Sequence, residues 1–263
     1  MPQFTTDPED TWRDSSGSED TWLLSSKAFN TFGSDLIGLG KLDVPSQQTE
    51  ALCAIFDLAG FTRFCTQVDP HLAIPEFLSR FVDWLFVAIR DSCTERVESD
   101  GRVRLLVPLP FFAKFMGDGI LFLWDVEGIP NRAVCQIPVL MLAVLERYQE
   151  EFLPLAQRPW DEPPSPLRCG VARGRVSSVG DGKDFVGPCI NIAARLQKLT
   201  SHTFSFSRRG FDAERYLSNE QLVRFRLFVT PIRGIGPRER VFVLADEYSR
   251  LSEDEQKMFS VPD

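Results

Sequence analysis

Apolar residues in this chain fall into short runs separated by glycine, proline and charged residues, and the spacing inside each run indicates its structure. Residues 51–57 are mainly apolar up to Asp57 and are closed by Gly60, which is typical of a buried strand. Residues 70–97 instead carry large apolar side chains at helical spacing. These side chains are Phe77, Phe81, Leu85 and Ile89. The pattern predicts a strand followed by an amphipathic helix with Pro75 in its first turn.

A hairpin is predicted next, because apolar runs at residues 109–116 and 120–124 flank an Asp/Gly pair. The short connection Gly117-Asp118-Gly119 places Asp118 at the turn. Residues 131–152 then have the spacing of a second amphipathic helix. A strand, a helix, a hairpin and a helix thus follow one another in the first part of the chain.

Residues 167–171 and 176–179 are two further apolar runs, interpreted as strands paired across Gly174. The element order is then βαββαβ, which is typical of a ferredoxin-like α+β sandwich with an antiparallel sheet and helices on one face. The remaining sequence predicts C-terminal additions to this sandwich. They are a helix at residues 189–199, an apolar run at 203–207, and strands at 222–229 and 241–245.

One domain is expected to span residues 49–248, with an arm before it and a tail at residues 249–263. The arm, residues 1–48, is rich in Ser, Thr, Asp and Gly and is interpreted as flexible. It contains Glu-Asp-Thr-Trp twice, an echo too brief to predict a structural repeat. Its aromatic side chains are expected to pack loosely. They include Trp12, Trp22, Phe29 and Phe32.

Composition limits the classes of function. Hydrophobic residues make up 43% of the 263 residues and charged residues 25%, as in an ordinary soluble domain. A net charge of -8 and a pI near 5.0 repel nucleic acid and anionic membranes, so neither is expected as a partner. The sequence has no apolar stretch of membrane-spanning length and no secretory leader, so a cytoplasmic protein is expected. Six scattered cysteines without a CxxC pair favour a reducing compartment and disfavour a zinc site.

Two aspartates stand where metal-dependent chemistry would need them. Asp57 ends the first strand and Asp118 lies at the hairpin tip, and these places are neighbours on a ferredoxin-like sheet. The turn at residues 58–62 has small residues, so its backbone NH groups can approach a phosphate. Taken singly, each aspartate is more often a turn or cap residue. Since His71 and His202 are isolated, the pair favours metal-assisted phosphoryl chemistry over acid–base catalysis.

Four motifs in this order resemble the catalytic domain of class III adenylate and guanylate cyclases. They are FDLAGFT (residues 56–62), KFMGDG (114–119), LRCGVARG (167–174) and DFVGPCINIAARL (184–196). A single GFT or GDG would be a weak signal. Four motifs with Asp184, Asn191 and Arg195 at the family's spacing are specific, and the similarity spans about residues 52–243.

The resemblance implies a reaction and a set of site residues. The family converts a nucleoside triphosphate into a 3′,5′-cyclic monophosphate and pyrophosphate with two divalent cations, Mg²⁺ or Mn²⁺. The metal ligands would be Asp57, Asp118 and the carbonyl of Leu58. Asn191 and Arg195 would be catalytic, because they orient the ribose and stabilise the transition state. The substrate-binding residues implied by the resemblance are Lys114, Asp184, Phe61, Thr62, Arg168 and Arg233.

In the family, two catalytic domains pack head to tail, and each site takes its metal ligands from one domain and its base-reading and Asn/Arg groups from the other. A chain with one such domain is therefore expected to form a homodimer. Lys114 and Asp184 match the base-reading positions, and their types disfavour guanine. Adenine, uracil and cytosine all fit this pair by hydrogen-bond type.

Three features depart from the family pattern. Extra sequence near residues 98–110 separates the two aspartates further than usual, and Arg233 stands in for a phosphate-binding lysine. In addition, Phe111, Phe112 and Phe115 crowd the Lys114 strand, although at least one of them is expected to face the core.

The crowding and the stand-alone domain resemble the bacterial pyrimidine cyclases of antiphage defence, the Pycsar type. That resemblance implies conversion of UTP to cyclic UMP, a second messenger for a separate effector protein that responds to cyclic nucleotides. The alternatives are an adenylate cyclase, then a cytidylate cyclase. Outside the enzymes, the alternative is an inactive cyclase-like module that binds a nucleotide.

Overall fold

The computed structural model describes residues 11–14, 21–24, 38–66, 70–97, 102–160, 162–199 and 201–262. Two units can be distinguished. The larger consists of residues 49–176 and 187–263, and the smaller of residues 1–48 and 177–186.

Two short strands form in the smaller unit where the Glu-Asp-Thr-Trp echo occurs. β1 (Thr11–Asp14) and β2 (Thr21–Leu24) pair antiparallel, with Trp12 opposite Leu23. The strands that begin in the two copies thus pair with each other, and each Thr-Trp lies opposite the residues that follow the other copy. The predicted loose packing of Phe29 and Phe32 concerns residues outside the described ranges.

The central sheet of the larger unit follows the predicted βαββαβ order. Its strands β3 (Gln48–Leu58), β6 (Phe112–Phe115), β7 (Gly119–Asp125) and β8 (Leu167–Val179) lie in the spatial order β8-β3-β7-β6. β7 pairs antiparallel with both β3 and β6. The α+β sandwich and its central hairpin are therefore confirmed.

Helices cover one face of this sheet. The chain leaves β3 through the short helix α1 (Phe61–Phe64), and α2 (Pro70–Cys93) then carries the predicted apolar stripe. The four stripe residues are at most 2% exposed and belong to the same core as Phe56 of β3. Pro75 is the sixth residue of α2 and not part of its first turn, since the helix already begins at Pro70.

The second long helix, α3 (Asn131–Arg147), continues through a π-helical stretch at Tyr148–Phe152 into α4 (Leu153–Ala156). Its buried side chains include Val134, Ile137 and Met141, which join the core formed with α2. The predicted helix at residues 131–152 is thus helical throughout, with a change of helix type near its end.

The opposite face of the sheet carries α5 (Pro188–Leu196). Gly170 of β8 alternates with Cys169 and Val171, which belong to the α2–α3 core, so it faces the other way. A Cβ at Gly170 would lie 2.2 Å from the Ala193 carbonyl oxygen, so the backbone of α5 packs directly on β8. The prediction that helices cover only one face is therefore wrong.

Two predicted boundaries also differ from the structure. The helix predicted at residues 70–97 ends at Cys93, and Thr94–Val97 forms β4, which pairs with β5 (Val103–Leu105). The strand pair predicted across Gly174 is one continuous strand, β8. Gly174 makes no turn because its role is packing: a Cβ there would lie 3.3 Å from the Cβ of Cys189 in α5.

The C-terminal additions extend the sheet beyond β8 through β10 (Phe204–Ser207), β11 (Phe225–Ile232) and β12 (Gly236–Leu244). These strands continue the sheet in the order β11-β12-β10-β8. Because β10 runs parallel to β8, the sheet is mixed and not purely antiparallel as predicted. Four short helices complete this region. They are α6 (Ala213–Tyr216), α7 (Asn219–Leu222), α8 (Ala245–Arg250) and α9 (Glu253–Gln256).

In the smaller unit, the last residues of β8 turn back into β9 (Asp184–Val186), with Ser178 opposite Phe185. The amide of Gln47 donates to the Ser178 hydroxyl and the amide of Ser178 donates to the Gln47 carbonyl, both at 2.8 Å. The amide of Asp181 donates to the Leu39 carbonyl at 3.2 Å. These hydrogen bonds connect Leu39 and Gln47, near the end of the arm, to the last residues of β8 and the turn that follows it.

The six cysteines are free thiols, and all except Cys65 are buried. Burial raises the pKa of the Cys53 and Cys169 thiols, which therefore behave as small apolar side chains. Among the helices of the described ranges, none is both long enough and apolar enough to cross a bilayer.

Candidate active site

The two aspartates of the predicted metal site are neighbours. Asp57 pairs in register with Gly119, which directly follows Asp118. The amide of Leu58 donates a 3.0 Å hydrogen bond to the Asp118 carbonyl. A Cβ at Gly119 would lie 2.3 Å from the Phe56 carbonyl oxygen, so glycine is needed for the hairpin to approach β3 this closely. The Gly-Asp-Gly turn therefore holds Asp118 beside Asp57.

This pair concentrates negative charge at the edge of the core. Asp57 is only 7% exposed and Asp118 is half-buried. Burial raises the pKa of the Asp57 carboxyl, and the nearby Asp118 raises it further. Lys198 and Arg168 act in the opposite direction and lower it. The site thus holds two carboxylates at an electrostatic cost that nearby cations offset in part.

Lys198 is a cation of this site that the sequence motifs do not indicate. Its Nζ lies 3.9 Å from Oδ1 of Asp57. It is the second residue after the end of α5, and its amide donates to the Arg195 carbonyl at 3.2 Å. The signal for it in the sequence is a basic residue three positions after Arg195, a spacing that brings side chains together where a helix continues.

Arg168 approaches the aspartates from β8. It shares one face of this strand with Gly170, the face on which α5 packs. Its Nε is buried, and within the described ranges it has no hydrogen-bond partner. A buried donor left without an acceptor costs free energy unless something binds it. Such a donor beside two carboxylates fits a residue that holds an anionic ligand, as predicted for Arg168.

Asn191 and Arg195 lie one turn apart on the exposed side of α5. The opposite side of this helix is buried. Its buried residues are Cys189, Ile192, Ala193 and Leu196. No hydrogen bond or ion pair joins the side chains of Asn191 and Arg195 to any other residue that the structure describes. The predicted catalytic pair is therefore presented outward and is not gathered around Asp57 and Asp118 of its own chain.

Lys114 lies on β6 at the edge of the sheet, opposite Leu121 of β7. Phe112, opposite Leu123, shares its face, because residues two apart on a strand point the same way. Phe115, opposite the core residue Ile120, lies on the other face. It lines a groove of about 440 Å³ beside α2, which Ala113 and Lys114 also line. At least one of the three phenylalanines is expected to face the core, and Phe115 does lie on the core side of the sheet, but it is 50% exposed and not part of the core. Phe112 shares the face of Lys114.

The remaining predicted substrate-binding residues are Asp184, Arg233, Phe61 and Thr62. Asp184 opens β9 in the smaller unit, where its carboxylate accepts a 2.9 Å hydrogen bond from the Phe185 amide. Arg233 lies in the exposed turn between β11 and β12, and within the described ranges no hydrogen bond or ion pair links it to the aspartates. Phe61 packs its ring against Phe64, with ring centres 6.1 Å apart, and Thr62 is exposed.

The turn after β3 leaves backbone donors available near the aspartates. Gly60 has φ 80°, a left-handed conformation that glycine adopts without strain. The amides of Leu58 and Ala59 are already bonded, to the carbonyls of Asp118 and Pro166. The first-turn amides of α1 have no acceptor within the helix. These amides are the donors that the predicted phosphate-binding turn would use.

The residues at the site suit divalent cations. Carboxylate oxygens are the hard donors that Mg²⁺ and Mn²⁺ prefer, and the Leu58 carbonyl follows Asp57 directly. The repulsion that raises the pKa of Asp57 would be relieved by positive charge. Within the described ranges, no cluster of three or more His, Cys, Asp or Glu side chains occurs. The remaining ligands would therefore come from water and substrate phosphates, as is usual for Mg²⁺.

The sequence matches no protein-family model and no curated protein. Solved structures do resemble it. The guanylyl cyclase Cya2 is 17% identical over 77% of this chain and 94% of its own, with a TM-score of 0.55. A bacterial light-regulated adenylyl cyclase is 15% identical over 83% of this chain, with a TM-score of 0.52. The match spans 60% of the length of that enzyme.

A third similar structure is the guanylate cyclase domain of RhGC from Catenaria anguillulae in complex with GTP. It is 13% identical over 76% of this chain and 98% of its own, with a TM-score of 0.51. Identities this low establish the fold and not the activity. The chain therefore has the fold of the catalytic domain of class III nucleotide cyclases.

Proposed function

We propose that the protein is a nucleotide cyclase, which converts a nucleoside triphosphate into a 3′,5′-cyclic monophosphate and pyrophosphate. The observation that carries this proposal is the Asp57–Asp118 pair, held together where β3 ends and β7 begins, with Arg168 beside it. A buried carboxylate with a second, half-buried one beside it is costly to maintain unless the pair binds something. Divalent cations carrying a triphosphate account for both the carboxylates and the buried Nε of Arg168.

In this proposal Asp57, Asp118 and the Leu58 carbonyl would hold two cations, Mg²⁺ or Mn²⁺. When bound, these cations make the 3′-hydroxyl more acidic and neutralise charge that builds on the phosphates. Arg168 binds the triphosphate through its planar fork of donors. Asn191 and Arg195 orient the ribose and donate hydrogen bonds to the α-phosphate as its negative charge grows.

The proposed enzyme is a homodimer in which each site combines two chains. The support is the placement of Asn191 and Arg195, which face outward on α5 and do not contact the aspartates of their own chain. A symmetric pair of such chains would hold two equivalent sites, since an isologous interface uses the same surface of both subunits.

For the substrate we favour UTP, with cyclic UMP as a cytoplasmic second messenger for a separate effector in antiphage defence. The support is the resemblance of the Lys114 strand to pyrimidine cyclases together with Phe112, which shares the face of Lys114. A large ring beside the base-reading lysine shortens a pocket and disfavours purines. ATP is the alternative substrate and CTP the third.

The test is incubation of the pure protein with each of the four nucleoside triphosphates and Mg²⁺ or Mn²⁺, with products identified by mass. We expect cyclic UMP to form fastest, and an Asp57→Asn variant to form none. Cyclic AMP as the fastest product would replace UTP by ATP and leave the cyclase proposal standing. Tight nucleotide binding without pyrophosphate release by the wild type would contradict cyclase activity and identify an inactive binding module.

A further inference from the structure

We propose that Lys198 is an exchangeable counter-ion of the metal site: its ammonium group balances Asp57 in the metal-free protein and leaves when a divalent cation binds. This inference rests on the proposed function, because it concerns the same aspartates. It adds a residue of this chain that sets how readily the site takes up its cations.

The geometry of the contact is that of a replaceable ion pair. A separation of 3.9 Å between Nζ of Lys198 and Oδ1 of Asp57 is too long for a hydrogen bond but short enough for strong attraction. The Lys198 side chain is 61% exposed, so water can solvate its ammonium group as soon as it moves away. Asp57, at 7% exposed, lacks that option and depends on a neighbouring positive charge.

The backbone of Lys198 is held in place, although its ammonium group can move. The residue before it, Gln197, packs its backbone on β8: a Cβ at Gly170 would lie 2.4 Å from the Gln197 nitrogen. The amide of Lys198 is bonded to the Arg195 carbonyl. The side chain of Lys198 thus extends from a fixed backbone position, which keeps the ammonium group near Asp57 when no cation competes.

Arg168 does not play this part. It is half-buried, and its Nε is enclosed without a hydrogen-bond partner in the described ranges, so it has little freedom to withdraw. Cations at the aspartates would repel both basic residues, but Lys198 is the one that can relocate into solvent or towards a triphosphate. Lys198 therefore competes with metal for Asp57, and removing its charge should tighten metal binding.

The experiment is Mn²⁺ titration of the nucleotide-free protein, with free Mn²⁺ followed by electron paramagnetic resonance. Lys198→Gln should bind Mn²⁺ about three- to tenfold more tightly than the wild type, as expected for loss of a partly exposed opposing charge. Lys198→Arg, which keeps the charge, should bind within about twofold of the wild type. Lys257→Gln is the matched control, because it removes the same charge from an exposed pair with Asp254 at 2.7 Å.

The outcomes separate this inference from the proposed function. Asp57→Asn should lose Mn²⁺ binding; if it binds as the wild type does, the proposed metal site fails and the inference with it. If Asp57→Asn loses binding but Lys198→Gln binds Mn²⁺ no more tightly than the wild type, the counter-ion role is overturned and the metal site stands. If Lys257→Gln also binds Mn²⁺ more tightly than the wild type, the counter-ion role of Lys198 is overturned, because the effect would then come from net charge.

Discussion

The aspartate pair and the α5 pair are held in opposite ways. Asp57 and Asp118 are locked together by the β3–β7 register and have Lys198 and Arg168 as charged neighbours. Asn191 and Arg195 sit on a helix that packs closely on β8, yet their side chains make no hydrogen bond or ion pair with any residue in the described part of the chain. One half of the proposed site is complete within a single chain, and the other half is only displayed by it.

The difference teaches what each half requires. Buried carboxylates need positive charge at once, so their partners must be present in the folded chain. An exposed Asn and Arg are solvated by water, so leaving them without a protein partner has no free-energy cost. The fold can therefore keep the second half unpaired until another molecule supplies the first half of a site.

The largest expected effect comes from removing a carboxylate of the Asp57–Asp118 pair. Asp57→Asn keeps the side-chain volume but removes a metal-ligand charge, so pyrophosphate release should fall by about 10³-fold or more. The thermal midpoint should stay the same or rise, because the raised pKa of Asp57 shows that its charged form is disfavoured in the folded state. Asp254→Asn, on exposed α9, should leave both turnover and midpoint unchanged. Turnover by Asp57→Asn near that of Asp254→Asn would contradict the assignment.

The next effect tests whether Asn191 and Arg195 act in the active site of another chain. Asp57→Asn and Arg195→Ala should each be inactive alone, but equal mixtures should recover about a quarter of wild-type activity. Random exchange makes half of the dimers mixed, and each mixed dimer keeps one intact site of two. No recovery after exchange has been demonstrated with tagged chains would contradict a composite site.

A smaller effect concerns the seat of α5 on the sheet. Gly170→Ala would push a methyl group into the helix backbone, 2.2 Å from the Ala193 carbonyl oxygen, where no side chain can give way. We expect a loss of about 2–4 kcal/mol in unfolding free energy, seen as a drop in thermal midpoint of roughly 5–15 °C. Gly174→Ala is the control, because its methyl group meets a Cys189 side chain at 3.3 Å and should cost far less. Equal midpoints for the two variants would argue against close packing of α5 on β8.

The smallest effect concerns the base. Phe112→Ala should lower the preference for UTP over ATP, measured as the ratio of kcat/KM values, by about tenfold, because it enlarges the face that Lys114 occupies. Phe115→Ala should leave the ratio unchanged, because Phe115 lies on the opposite face. A ratio that responds to Phe115 and not to Phe112 would show that the register does not define the pocket.

Local pattern was sufficient to predict much of this fold. The stripe of α2, the β6–β7 hairpin and the place of Asp118 depend on residues a few positions apart, where periodicity and turn chemistry act directly. Strand alternation also predicted that at least one of the three phenylalanines would face the core, and Phe115 lies on that side of the sheet although it is 50% exposed. The proximity of Asp57 and Asp118 followed once the topology was known.

The features that the sequence did not predict depend on distant contacts. A glycine between two apolar runs is typical of a turn, but Gly174 instead lets α5 pack close to the strand at Cys189. A local pattern cannot distinguish these two roles. The position of α5 on the second face depends on Gly170, a contact across more than twenty residues. Lys198 became part of the site only because that packing carries it to Asp57.

α5 has a further consequence in the proposed dimer. Arg195 would reach into the partner's site while Lys198, three residues later, stays at the site of its own chain. Because one short, rigid helix end serves both places, a shift that draws Lys198 away from Asp57 would also move Arg195. Each α5 would thus couple the two active sites of the dimer, and cooperativity between them would depend on the stiffness of about one helical turn.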